Sequence, residues 1–265
     1  MLFDTLYLPK KDHEVREKSS GLSKDRKKEK KMEATVKEML EAGVHFGHQK
    51  SRWNPKMSPF IFTERGGVHI FDLVKTEEQF NQALKFIAEK TQNGGVILFV
   101  GTKKQGQSLV KEAAISCGMP FVSERWLGGM LTNFQTFYAR IRTLKTLNSR
   151  IDKEGFATKK QLVVARKQAE KMIENLGGIS ELQKLPDVLF VVDIVREHNA
   201  IKEAKKAGIP VVAIVDSNAN PDDIDFVIPG NDDAVKAIAL YVKEVASTIN
   251  NNKPIVEKEV KDGEK

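Results

Sequence analysis

The sequence predicts an α/β protein, a parallel sheet flanked by helices, with one antiparallel helical hairpin inserted into it. Three observations carry that reading. Apolar runs of strand length alternate with segments of helical period. The runs are continuously apolar and rich in Val and Ile, as in strands covered on both faces. Residues 134–184 break the alternation and contain no strand pattern.

Taken in order, MEATVKEMLEAG opens at Met32 as an amphipathic helix with Val36, Met39 and Leu40 on one side. VHIFDL (68–73) reads as a strand, and EEQFNQALKFIAEKT (77–91) sets Phe80, Leu84 and Ile87 on one helical face. VILFVG (96–101) is a buried strand, followed by the helix QSLVKEAAISCG and the short strand PFVS (120–123). DVLFVVD (187–193), PVVAIVD (210–216) and DFVIPG (225–230) complete the strands. Helices are expected at 197–207 and 231–249. The second starts at NDDAVKAIALY, with Asn231 as N-cap and Asp232 and Asp233 complementing the helix dipole.

Within 134–184, Phe134, Phe137, Ile141, Leu144 and Ile151 form a heptad seam, with Asn148 at its skipped place. Leu162, Ala165, Ala169, Met172 and Leu176 repeat the pattern, and DKEGF between them reads as the turn. So narrow a seam leaves most of each helix in water, and the hairpin is expected to project. Its cations are Arg140, Arg142, Lys145, Arg150, Lys159, Lys160, Arg166, Lys167 and Lys171. Residues 10–31 are almost free of large apolar side chains and cannot offset their ordering entropy. The expected organisation is a disordered basic extension (1–31), an α/β domain (32–133 with 185–249), the hairpin (134–184) and a loose tail (250–265).

Charge and composition narrow the function. The formal net charge is +7. Residues 1–31 hold ten Lys/Arg against six Asp/Glu, and residues 134–184 hold eleven against five. A basic appendage on a near-neutral body points to a polyanionic partner, against the blander reading of a solvated helical face. No apolar run approaches the ~20 residues of a membrane span. The opening MLFDTLYLPKKDHE has too short an apolar part for a secretory signal. The single cysteine, Cys117, forms no intrachain disulfide and reads as a buried small hydrophobe, with the cytosol as default compartment.

Several stretches are candidates for chemistry. HFGHQKSRWNPKM (45–57) places His45 and His48 beside Lys50, Arg52, Trp53 and Lys56 with no acidic residue. Five histidines, one cysteine and no HExxH are poor material for zinc, so packed histidines in a loop after a helix are the expectation. GTKKQGQS (101–108) has the glycine spacing of a phosphate-binding loop, but Gln107 stands where the lysine is needed. Three readings remain for that turn: a plain basic βα turn, a nucleotide- or metal-dependent enzyme, or Lys103 and Lys104 with the helix N-terminus meeting a nucleic-acid phosphate. Asp193, His198 and Asp216 near strand ends could gather round a cation. Asx turns around Pro221 explain DSNANPDD without a metal. In RWLGGMLTNF (125–134), Trp126 reads as a hinge seating the hairpin and Arg125 as a phosphate contact. No serine or cysteine sits in a nucleophile elbow.

EAGVHFGHQ, RWNPKMSPFIF, ILFVGTKKQ, RWLGGMLTNF, LPDVLFVVD, EHNAIKEAKKAGIPVVAIVD and DFVIPGNDDAVKAI together resemble the bacterial small-subunit ribosomal proteins of the S-two family. The resemblance runs from about Glu33 to Ile249; residues 1–31 depart from it, since members usually begin near Met32. It implies a flavodoxin-like domain with a protruding coiled-coil hairpin, and a structural place in the cytoplasmic ribosome, on the solvent side of the small subunit between head and body. The implied partners are small-subunit ribosomal RNA, neighbouring ribosomal proteins and the large mRNA-binding protein of the subunit. Catalysis, cofactor and membrane partner are not implied. On this reading the RNA-facing residues are Lys50, Arg52, Trp53, Lys56, Lys103, Lys104, Arg125, Arg140, Arg142, Lys145, Lys159, Lys160 and Arg166. Trp53 either stacks on an unpaired base or lids the sheet.

Overall fold

A computed structural model describes residues 35–153, 155 and 158–254. Residues 1–31 and 255–265 lie outside the described residues. The chain runs α1 (Val36–Ala42), β1 (Phe46–Gln49), β2 (Ile61–Arg65), β3 (Val68–Phe71), α2 (Leu73–Gln92), β4 (Ile97–Val100), α3 (Gln107–Ser116) and β5 (Phe121–Val122). It continues with α4 (Phe134–Asp152), α5 (Lys159–Leu176), β6 (Val188–Val192), α6 (His198–Ala207), β7 (Val211–Val215), β8 (Phe226–Pro229) and α7 (Val235–Asn252).

The continuous apolar runs become a five-stranded parallel sheet of order β5-β4-β6-β7-β8. Renumbered from its first strand this is 2-1-3-4-5, the flavodoxin-like order. Side chains alternate between two apolar layers. Leu98, Val100, Leu189, Val191, Val211 and Ala213 face one layer, shared with Ile141, Leu144 and Ile201. Ile97, Phe99, Val188, Phe190, Val212 and Ile214 face the other, with Phe80, Ile87, Val110, Ile238 and Tyr241. Both faces are covered, so polar alternation has no place in these strands.

Local sequence explains the helix ends. Thr35 and Glu38 form a reciprocal capping box: the Thr35 hydroxyl accepts from Glu38 N, and Glu38 Oε2 accepts from Thr35 N at 2.8 Å. Gly43, at φ 77°, closes α1. Asp72 caps α2 by accepting from Val74 N at 3.1 Å.

The structure departs from the sequence reading in five places. VHIF is not in the parallel sheet; it is the centre of a separate antiparallel sheet of order β1-β3-β2. His48 therefore lies on β1 and not in a loop, while His45 is in the turn between α1 and β1. Leu40 is 52% exposed, because so short a helix turns only Met39 fully inward. Asn231 does not cap α7, which starts at Val235. Its Oδ1 instead accepts from Asp233 N and Ala234 N, a turn that frees Asp232 to point into the protein. Residues 250–252, assigned to the tail, are the last turn of α7.

In segment 134–184, α4 and α5 bury Phe137, Ile141, Leu144 and Ile151 with Ala165, Ala169 and Leu176, while Phe134, Leu162 and Met172 pack partly buried beside them. Gly178 follows this pair and lies against β5. A Cβ there would overlap the Phe121 carbonyl oxygen, so only glycine fits.

Phe190→Ala, in the centre of the sheet, should cost about 3–5 kcal/mol in urea denaturation. Phe62→Ala, at a side chain 74% exposed, should stay within about 0.5 kcal/mol.

Candidate nucleic-acid interface

The stretch 45–57 is held by the parallel sheet. His48 N donates to Ser217 Oγ at 2.8 Å and Asn54 N donates to the Ser217 carbonyl at 2.7 Å, so the segment is moored to the end of β7. Asn54 then starts a short 3-10 turn by accepting from Lys56 N at 3.0 Å. Lys50 pairs with Glu64 at 2.6 Å and Lys56 with Asp222. All four of those side chains are exposed, and such surface pairs contribute only about 0–1 kcal/mol, so a phosphate can displace either acid. Arg52 is exposed beside them. Trp53 rests one face on the buried His69, ring centroids 4.9 Å apart, and keeps 36% of its surface exposed. It lids the small sheet and still offers a stacking face.

Lys103 and Lys104, adjacent in sequence, have opposite surroundings. Lys104 is exposed. Lys103 points inward and is held by Asp193 at 3.2 Å, Asp232 at 2.8 Å and Asp233 at 2.5 Å. Burial works to lower its pKa, and the carboxylates, Asp232 first, outweigh burial and raise it. Lys103 is thus paired with acids of this chain, unlike Lys104. Burial, reinforced by Asp193 and Asp216, raises the Asp232 carboxyl to about 7 against the pull of Lys103.

The rest of the 101–106 turn is equally occupied. Thr102 donates from N at 3.0 Å and from Oγ1 at 2.5 Å to the buried Glu197 carboxylate, whose pKa burial raises. Arg196 Nε donates to the same hydroxyl at 2.8 Å. Thr102 N, Thr102 Oγ1 and Lys103 Nζ are thus bound to acids of this chain, and those acids would repel a phosphate at these donors. Gln107 Nε2 turns back to the Thr102 carbonyl at 3.2 Å.

The expected trio of Asp193, His198 and Asp216 is not the grouping observed. Asp193 joins Lys103, and His198 Nδ1 lies 3.3 Å from the Val195 carbonyl. Asp216 instead meets His48, with Nδ1 to Oδ1 at 3.0 Å, while His48 Nε2 is 3.3 Å from Asp233. Among the described residues these three could hold a metal ion, with ligand atoms within 4.8 Å of one another. An imidazolium between two carboxylates satisfies the same geometry. The hydrogen bond that His48 donates to the Asp216 carboxylate raises the pKa of His48, opposed by burial.

The loop 126–132 has an anchor that sequence reading missed. Glu203, on α6, accepts from Trp126 Nε1 at 3.1 Å, Gly129 N at 2.7 Å, Leu131 N at 3.0 Å and Thr132 N at 3.3 Å. Burial works to raise its pKa, but these donors, led by Gly129 N, hold it below the usual range. Trp126 is 9% exposed and Arg125 exposed. In KEAKKAG nothing marks Glu203 from other helix-surface acids; only the bare N–H groups of the glycine-rich loop called for such an acceptor.

On the helical pair the cations point outward. Arg140, Arg142, Lys145, Lys159, Lys160, Arg166, Lys167 and Lys171 are exposed. Lys145 reaches Glu181 at 3.1 Å, and the Arg140 guanidinium lies 5.4 Å from the Phe137 ring centroid. Arg140, Arg142, Lys159, Lys160 and Arg166 make no ion pair among the described residues.

A flavodoxin-like sheet whose Lys103 is held by its own acids, with exposed cations on α4 and α5 and at Arg52, Lys104 and Arg125, fits a structural binding protein. The comparisons agree. The family described as ribosomal protein S2 matches residues 39–252. A small ribosomal subunit protein uS2 of Geotalea uraniireducens is 54% identical over 218 residues, covering 81% of this chain and 85% of the relative. The proteins of that name from Streptomyces griseus and Coxiella burnetii are each 50% identical, covering 81% and 84% of this chain and 71% and 72% of theirs. The chain belongs to the ribosomal protein S2 family, whose members are structural proteins and not enzymes.

Two tests follow from the buried charges. The unfolded chain loses the Asp232 proton near ~3.9, whereas the folded protein holds it to about 7. That contribution is complete below the lower value and is lost as pH rises through the upper one. Urea midpoints should therefore fall between about pH 4 and 7 more steeply in the parent than in Asp232→Asn; superimposable profiles would clear Asp232 of this role. Glu203→Ala strands the loop donors and should cost roughly 2–3 kcal/mol, measured by the same denaturation.

Proposed function

We infer that this chain is a structural constituent of the small ribosomal subunit, working in the cytoplasm in association with small-subunit ribosomal RNA and proteins. The observation that carries the RNA surface is the separation of its charges. Acids and Lys103 neutralise one another inside the sheet domain, while Arg140, Arg142, Lys159, Lys160 and Arg166 stay outside with no carboxylate partner among the described residues. We assign the main phosphate contacts to Arg140, Arg142, Lys145, Lys159, Lys160 and Arg166, treating segment 134–184 as a basic arm inserted into the sheet domain. Arg125, Lys104 and the Lys50–Lys56 stretch form a second contact zone, in which Trp53 stacks on an unpaired base.

Val163 and Val164 on α5 are 53% and 59% exposed, and Tyr138 on α4 is 37% exposed. This apolar surface among the cations supports a second role for the same arm, docking a neighbouring protein of the subunit. The large mRNA-binding protein is the partner we favour.

Replacing Arg140, Arg142, Lys159 and Lys160 together with alanine tests the assignment by filter binding to small-subunit ribosomal RNA. Each phosphate that the variant leaves unneutralised should flatten the slope of log affinity against log salt by about 0.7–0.9, with the folding midpoint unchanged. Equal affinity and equal slope would move the RNA surface elsewhere.

A further inference from the structure

Segment 124–133 carries the chain from the sheet domain into α4, and it is tied down at one point. Among the described residues, the hydrogen bonds that join it to the sheet domain all end on the Glu203 carboxylate. Oε1 accepts from Trp126 Nε1 and Gly129 N, and Oε2 accepts from Leu131 N, Thr132 N and the Thr132 hydroxyl, the last at 3.3 Å. The two oxygens take donors from successive parts of the loop, so they fix its rotation as well as its place. Gly129, at φ 90°, makes the bend that its N–H needs to reach Oε1. Asn133 N then donates to the Gly129 carbonyl at 2.8 Å, and α4 begins at Phe134. One residue separates the clamp from the helix.

The other contacts at the root are different in kind. Met130, Leu131 and Phe137 are buried there, but apolar packing has no preferred direction. On the return side α5 ends at Leu176, and Gly178 lies against the Phe121 carbonyl of β5. A single close approach fixes a point and leaves rotation about it open. Leverage makes that rotation matter. The 19 residues of α4 span about 28 Å at ~1.5 Å each. A turn of about 10° at the root moves the far end by about 5 Å, where α5 begins with Lys159 and Lys160, and moves Arg140 by only about 1.6 Å.

We propose that Glu203 is a positioning residue: it sets the direction in which α4 and α5 leave the sheet domain, and so places the distal cations Lys159 and Lys160 on their phosphates. The second half of this statement rests on the RNA assignment made above; the first half does not.

Double electron–electron resonance on the full chain tests the first half, with spin labels on Ser149→Cys and Lys236→Cys, both exposed positions, while the buried Cys117 stays unlabelled. The parent should give one narrow distance distribution. Glu203→Ala should shift or broaden it by about 5 Å, and Glu203→Gln, which keeps one acceptor oxygen and the side-chain volume, should fall between. Should the alanine variant not fold, the glutamine variant carries the same test. Distributions that superimpose on the parent in a folded variant overturn the proposal. Filter binding to small-subunit ribosomal RNA tests the second half. Lys159→Ala/Lys160→Ala should flatten the salt slope by about 1.4–1.8 in the parent and by far less in the Glu203→Gln background, a non-additivity that loss of stability alone does not produce. Equal flattening in both backgrounds overturns the placing of the distal cations. No flattening in the parent overturns the RNA assignment instead, and the label distances then judge Glu203 by themselves.

Discussion

Among the described residues, Lys103 is the cation on which the acids Asp193, Asp232 and Asp233 converge. Asp193 follows β6, and Asp232 and Asp233 follow β8, so acids from separate segments converge on one ammonium within 3.2 Å. At an effective dielectric of ~20 each such contact is worth about 5 kcal/mol before desolvation. Removing both ions from water costs several kcal/mol apiece, so the net gain is small. What the cluster supplies is position. Without the ammonium the acids repel and the strand ends cannot lie together. Asp193 even accepts a left-handed backbone, φ 67°, held by Lys103 and by Arg196 N donating to its side chain at 3.0 Å.

The location matters because flavodoxin-like sheets bind ligands where the strand order reverses, at the carboxyl ends of the strands. Here β4 and β6 flank that point, and Lys103 and Thr102 from one meet Asp193 and Glu197 from the other. His48 continues the network to Asp216 and so joins the antiparallel sheet to the parallel one. The groups that would serve catalysis in a related fold are spent on holding two sheets together. That leaves the exterior, and above all α4 and α5, to carry the unpaired positive charge.

The parallel sheet was legible because strands buried on both faces leave a signal in every residue. VLFVV and VVAIV need no tertiary information. The antiparallel sheet was not legible. FGHQ has four residues including a glycine and depends on a partner far along the chain, Ser217 under His48, while IFTER turns Phe62 outward and is a strand by pairing with VHIF across Gly66-Gly67. The α7 start misled for a related reason: Asn231 forms the turn that an N-cap would, but three residues early, and so swings Asp232 inward. Lys103 and Lys104 are equivalent in sequence. The clue that separates them is the acid placed after β6, β7 and β8 at Asp193, Asp216 and Asp232, which demands a cation at the neighbouring strand end.

The cations therefore form a graded series of availability to a phosphate. Lys50 and Lys56 hold exposed acids that water already screens, and exchanging a carboxylate for a phosphate there changes little in solvation. Among the described residues Arg140, Arg142, Lys159 and Lys160 have no acid to give up. For Lys103 the exchange would uncover Asp193 and Asp232 in a nearly dry site, each left without a counter-charge, and would bring a further anion toward them. Uncompensated buried charge costs about 3–5 kcal/mol, more than one phosphate contact returns. Position along the chain places all these lysines near polar turns. The depth of their carboxylate neighbours decides which of them can meet RNA.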